Sequence, residues 1–302
     1  MKKRFLALGL TVALAAASLA ACGGASTKTT EKKAEAGTEQ GSEKATEAAK
    51  EEKADSGELR TYKLGVNGSD HEEWEKANEL LQKDNIKLEM VEFSDYVKPN
   101  EALEDGEIDL NAFQTEIYFN NFVKERGYTD LGILAYTQVA PMGIYSSKYK
   151  SLDEATGHLI IAIPNDVTNG GRALKFLEKN GFLTLKKEAG LTPTVMDIEK
   201  YNKDVEIVEM VATQIPASLP DLSFACINNG VAKDAGLTLK NDAIVYEDYK
   251  EPDMKNYWNI IAAKKDRIES EDFQKIKKAY NSDEVKQVIL EHYDGQSIPV
   301  WD

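Results

Sequence analysis

Residues 159–179 read LIIAIPNDVTNGGRALKFLEK and pass from an apolar run, through a polar link, into a helical pattern. The compact stretch Leu159 to Ile163 predicts a buried strand. Asn165, Asn169, Gly170 and Gly171 punctuate the link, and Gly170 to Lys179 predicts a helix. A strand joined to a helix by a short turn-rich loop is the unit from which an α/β layer is built.

The same alternation continues in both directions. Upstream, Tyr62 to Val66 reads as a strand, and Glu72 to Lys83 sets Trp74, Ala77, Leu80 and Leu81 at helical spacing. Ile86 to Phe93 alternates as a half-buried strand, Asn100 to Asp105 suits a short helix, and Ile108 to Phe113 is strand-like. After the punctuation of Pro141 and Gly143 come strand-like runs at Ile144 to Ser146, Val205 to Val211, Leu222 to Ile227 and Tyr257 to Ala263. Glu271 to His292 predicts one helix, with Phe273, Ile276, Tyr280, Val285, Val288 and Ile289 as a core stripe. The fold class expected is α/β, and the folded part is long enough for two lobes, each with its own core.

The N-terminal MKKRFLALGLTVALAAASLAAC carries Lys2, Lys3 and Arg4 ahead of an apolar run ending on small residues and Cys22, as a secretory signal peptide does. From Gly23 to about Gly57 there is no aromatic and no branched aliphatic residue, so residues 22–58 are expected to form a flexible tether. With 52 acidic and 37 basic side chains, the chain offers no cationic face for nucleic acid. Of the two cysteines, Cys226 lies in an apolar run and is expected to be a buried thiol. The three histidines, His71, His158 and His292, are scattered, and no HExxH, GxSxG or GxxxxGK[ST] pattern occurs. Neither a catalytic constellation nor a metal site or other cofactor is expected, so the chain is read as a non-enzyme.

Longer stretches are more specific. Residues 93–119 read FSDYVKPNEALEDGEIDLNAFQTEIYF, and residues 161–185 read IAIPNDVTNGGRALKFLEKNGFLTL. With GIYSSKYKSLDE from Gly143 and CINNGVAKDAGL from Cys226, they resemble the NlpA/MetQ family of methionine-binding lipoproteins, substrate-binding subunits of ABC importers. The resemblance covers residues 59–302. It implies a two-lobed periplasmic-binding-protein fold of type II with the ligand cleft between the lobes. Residues 59–141 plus 250–302 would form the first lobe and 142–249 the second, with hinges near Pro141 to Gly143 and Glu251 to Asp253. Leu19 to Cys22 likewise resembles a lipobox, so residues 1–21 would be removed and Cys22 lipidated, on the extracytoplasmic face of the membrane. The implied partners are a permease, an ATPase and a small amino acid.

By residue type alone, Arg172 at a helix start is a surface cap, the aromatics are core, and the asparagines serve local turns. The resemblance turns them into site residues. Arg172 becomes the anchor for a ligand carboxylate, reinforced by helix-start amides, and Asn169 a contact at the ligand's polar end, while Asn165 shapes the loop. Tyr96, Phe113 and Tyr118 would line a slot for the ligand side chain. Two departures from the family pattern fall at the ligand. Thr115 stands where a histidine is usual, and Ile227-Asn228-Asn229-Gly230-Val231-Ala232 puts glycine where an asparagine contacts the ligand's amino end. That contact is either lost or supplied by Asn229 after a loop shift, and Asn228 and Asn229 are both candidates for ligand binding. Methionine is the first expectation, with a related amino acid, a methionine derivative or a short peptide as the alternative. A surface adhesin or signalling lipoprotein that keeps the binding fold is the other reading.

Overall fold

The structure is a computed structural model that describes residues 57–301. Cys22, the signal peptide and most of the proposed tether lie outside the described residues. The chain begins with β1 (Arg60–Asn67), α1 (Glu72–Leu81), β2 (Ile86–Phe93), α2 (Lys98–Glu104), β3 (Leu110–Asn111), α3 (Glu116–Arg126) and β4 (Leu131–Val139). It continues with β5 (Gly143–Tyr145), β6 (Leu159–Pro164), α4 (Val167–Lys179), β7 (Leu183–Leu185), β8 (Ile198–Tyr201) and β9 (Val205–Met210). Next come α5 (Ile215–Ser218), β10 (Phe224–Ile227), α6 (Asn229–Asp234) and β11 (Ala243–Tyr246). The last elements are β12 (Trp258–Lys264), α7 (Lys265–Ile268), α8 (Glu271–Tyr280), α9 (Asp283–His292) and β13 (Ile298–Pro299).

Two mixed sheets organise these elements. One runs β13-β4-β12-β3-β1-β2 and the other β11-β5-β10-β6-β9, and β7 pairs with β8 as a separate ribbon. β1 is parallel to β2 and β3, and β6 is parallel to β9 and β10. The chain crosses from the first sheet to the second at residues 140–142 and returns at 247–257.

Both faces of each sheet are covered, and the two-residue period of the strands sorts side chains between them. In β12, Ile261 and Ala263 join Trp74, Leu81, Phe273, Tyr280 and Ile289 beneath α1, α8 and α9, while Ile260 and Ala262 join Leu103 and Phe119 on the α2 and α3 side. In β10, Phe224 and Cys226 pack with Leu174 and Leu177 of α4, while Ala225 and Ile227 pack with Ile215 and Ala232. Near-continuous apolar strands such as β6 are what two covered faces require.

Several boundaries differ from the sequence expectation. The single helix over 271–292 is two helices, because Ser282 leaves helical geometry and caps α9, its hydroxyl oxygen accepting from the Val285 amide and donating to the Ala279 carbonyl. The strand expected over 108–113 is ladder-paired only at Leu110–Asn111. Tyr257 closes a 3-10 turn, and the strand begins at Trp258. Helix α4 starts at Val167, three residues before the predicted start, because Asp166 is its N-cap. Arg172 therefore sits in the second turn of α4, not at its first free amides. α3 and β4 were not anticipated at all.

Candidate functional site

The parallel strands of the two sheets end toward one cavity of about 610 Å³. Asn67 ends β1, the segments after β2 and β3 bring in Tyr96 and Phe113, and the turns after β6 and β10 bring in Asn169 and Asn228. In open α/β sheets the carboxyl ends of strands are where loops can converge on a ligand. Every residue proposed for ligand contact lines this cavity: Tyr96, Phe113, Thr115, Tyr118, Asn169, Arg172, Asn228 and Asn229. Asn165 does not; its amide donates to the Met210 carbonyl at 2.8 Å and its side chain is exposed.

Three rings form an aromatic wall. Tyr96 and Phe113 have centroids 5.9 Å apart, and Tyr118 stands 6.2 Å from each, nearly edge-on. The Tyr118 hydroxyl donates to the Tyr96 carbonyl at 2.8 Å, which ties the loop after β2 to α3. Burial pushes both phenols well above their ordinary range, and Asp166 adds to this, so both remain protonated donors. Thr115 is the N-cap of α3, accepting from the Tyr118 amide at 3.3 Å, which fixes the wall's start as well as bordering the cavity. Beside the wall is a buried amide cluster absent from the sequence expectation, and its Gln114 also borders the cavity. Gln114 and Asn100 exchange hydrogen bonds at 2.7 Å, and Asn111 joins both at 2.9 Å. These bonds satisfy groups that would be costly if buried alone, and they pin the backbone of Phe113 to α2.

At the polar end the side chains are chained together. Asp166 accepts from the Asn169 backbone amide at 2.8 Å and from the Asn169 side-chain amide at 3.0 Å, so the Asn169 oxygen is turned outward. That oxygen accepts from Asn228 at 2.7 Å. Asn229 donates to the Gln296 carbonyl at 2.6 Å and is 5% exposed. Side-chain oxygens of four cavity residues, Asn67, Gln138, Asn228 and Asn229, are buried without a hydrogen-bond partner among the described residues. For Asn67 and Asn229 the nitrogens face carbonyls, which identifies the remaining atom as the acceptor.

Arg172 is buried at 3% exposure and is not an isolated cation. Its Nε donates to Glu247 Oε1 and Oε2 at 3.0 and 3.1 Å, and its Nη2 to Oε2 at 2.5 Å and to the Ala140 carbonyl at 2.9 Å. The Tyr257 ring lies 4.3 Å from its Cζ. Glu247 is not among the expected site residues; it opens the charged run EDYKEPD, which carries no local site pattern. For Gly230, at the other altered position, no atom of the described residues beyond its own helix turn lies within 4 Å of where a Cβ would stand, so this side of the cavity is open.

Two sheets joined by two crossings, with a polar and aromatic cavity between them, define a two-lobed substrate-binding protein. Residues 62–301 match the NlpA lipoprotein family, and the chain belongs to that family. It is 40% identical to the D-methionine-binding lipoprotein MetQ of Escherichia coli over 243 residues, 79% of this chain and 88% of the relative. Among solved structures it resembles protein PG110 from Staphylococcus aureus (TM-score 0.77, 40% identity, 79% of this chain and 94% of the other). It also resembles a nutrient binding protein from Burkholderia cenocepacia bound to methionine (TM-score 0.75, 35% identity, 80% of this chain and 100% of the other).

Proposed function

We propose that this protein is the substrate-binding subunit of an ABC importer, held by lipid on Cys22 to the extracytoplasmic face of the membrane. It captures methionine or a closely related amino acid and delivers it to a permease driven by an ATPase. The observation that carries this reading is the convergence, in one cavity, of a guanidinium, an aromatic wall and buried acceptors lacking donors. A zwitterion supplies what each requires. Its carboxylate would meet Arg172 Nη1, which has no hydrogen bond among the described residues. Its ammonium would donate to asparagine or glutamine oxygens whose isolation costs about 1–3 kcal/mol each. Its apolar side chain would lie on Tyr96, Phe113 and Tyr118.

The lobes we assign are residues 59–141 plus 250–302, and 142–249. They would close over the ligand by bending at the two crossings, without a cofactor and without catalysis. Kinship with the E. coli and B. cenocepacia proteins supports methionine as the first ligand to test. The volume of about 610 Å³ and the open space at Gly230 support a second reading, in which a longer derivative or a short peptide also enters.

A thermal-shift screen of L-amino acids, D-methionine and methionyl dipeptides tests both. Methionine is expected to give a large stabilisation, with methionyl peptides giving some; a screen in which no amino acid or peptide moves the melting temperature would overturn the reading.

A further inference from the structure

The contacts of Arg172 and of its partner Glu247 come from a restricted part of the chain. Ala140 and Met142 belong to the first crossing between the sheets, and Glu247 and Tyr257 stand at the two ends of the second. The Glu247 carboxylate holds the Nε edge of the guanidinium, and its Oε2 also accepts from the Met142 amide at 2.7 Å. Arg172 Nη2 donates across to the Ala140 carbonyl, and Tyr257 covers one face of the plane. A guanidinium is a rigid planar fork. Fixing its Nε and Nη2 and one face determines where the Nη1 hydrogens lie, and Arg172 borders the cavity.

We infer that Glu247 is a positioning residue for ligand recognition: it aims Arg172 at the ligand carboxylate and couples that contact to both crossing segments. The inference rests on the reading of Arg172 as the carboxylate anchor. It follows from burial as well as from distance. Glu247 is 8% exposed, and an arginine buried at 3% would be costly to hold in place without a paired anion. The pair also makes the orientation of Arg172 depend on how the crossings are arranged, because Arg172 bonds Ala140 on the first crossing and Glu247 on the second, and Glu247 in turn accepts from Met142 on the first. A change in the angle between the lobes therefore moves the fork, and a carboxylate held by the fork resists that change. Ligand affinity and lobe closure would share this one group of side chains.

The test compares calorimetric affinities for L-methionine and for L-methioninol, which has a hydroxymethyl in place of the carboxylate. The proteins are wild type, Glu247→Gln and Glu247→Asp, each checked for a cooperative melt. Glu247→Asp keeps the charge but shortens the arm, and it is the variant on which the answer rests if Glu247→Gln does not fold. Wild type is expected to prefer L-methionine, and the variants to lose about ten- to a hundredfold in L-methionine affinity, the scale of a lost charged hydrogen bond. Their affinity for L-methioninol is expected to change little, so the discrimination collapses. A merely structural role would weaken both ligands alike. Variants that keep the wild-type discrimination would overturn the inference and leave Arg172 as the anchor. A wild type that binds both ligands equally, or neither, would overturn the anchor reading and the inference with it.

Discussion

Removing the Arg172 side chain leaves the Glu247 carboxylate buried without its cation, so its effect extends beyond the ligand. Arg172→Ala is expected to abolish amino acid binding and also to cost about 3–5 kcal/mol of stability, read by urea unfolding. An unchanged unfolding midpoint would show that the pair is solvated in solution. Gly230 behaves differently. Among the described residues nothing beyond its own helix turn lies within 4 Å of a Cβ there, and its φ is not positive, so Gly230→Asn should fold normally. It places an amide at the cavity edge, and methionine is expected to bind more tightly while longer ligands bind more weakly. Equal affinities for all ligands would mean that position 230 does not face the bound solute. Glu73 carries a pH prediction. Burial raises its carboxyl above the ordinary range, against the opposing hydrogen bond from the Tyr293 hydroxyl. A raised folded-state pKa means that stability present at low pH is lost as pH rises through that value. Glu73→Gln removes the charge and can still accept from Tyr293, so its stability relative to wild type should grow from pH 4 to pH 7 in paired urea titrations. A constant difference would contradict this. The residues most legible in the sequence were those inside long family-like stretches, which is why all eight ligand candidates border one cavity. Glu247 and Tyr257 were hidden because their partner lies on a helix distant in sequence, and no local pattern marks such a pair.

Helix α4 joins fold and site at the scale of the element. Asp166 both caps the helix and holds the Asn169 side chain, so one substitution tests the two together. Asp166→Ala is expected to cost about 1 kcal/mol of stability and to weaken methionine binding, whereas Ser282→Ala, at the α9 cap outside the cavity lining, should cost about as much stability with no effect on affinity. Thermal melts and calorimetry on the two variants make the comparison, and equal effects on affinity would contradict the assigned role of Asp166. Strong periodicity made α1, β2 and β6 readable. Boundaries were less so where a polar side chain interrupts an otherwise continuous pattern, as Ser282 does between α8 and α9 and Asp166 does ahead of α4. The apolar β4 and the mixed α3 were missed. β4 alternates poorly because its residues are shared between two covered faces, and α3 interleaves aromatic with charged residues, which blurs the helical period.

For the whole molecule, the recurring arrangement is strand ends opposed across one cavity. The segments that follow the strands bond one another across the two halves: Lys233 of α6 reaches the Asp70 carbonyl, Asn229 of α6 the Gln296 carbonyl, and the Leu239 amide the Gln296 side chain. These bonds must separate if the lobes open, so small-angle scattering should record a smaller radius of gyration with saturating methionine than without it. Only the two-lobed class was legible in the sequence here, through the family-like stretches, because strand pairing between distant segments has no local signature. Isothermal titration of the wild-type protein with L-methionine measures amino acid capture itself. Saturable binding of one molecule per chain, lost in Arg172→Ala, is expected; no saturable heat, or heat that Arg172→Ala leaves unchanged, would show that Arg172 does not anchor an amino acid in this cavity.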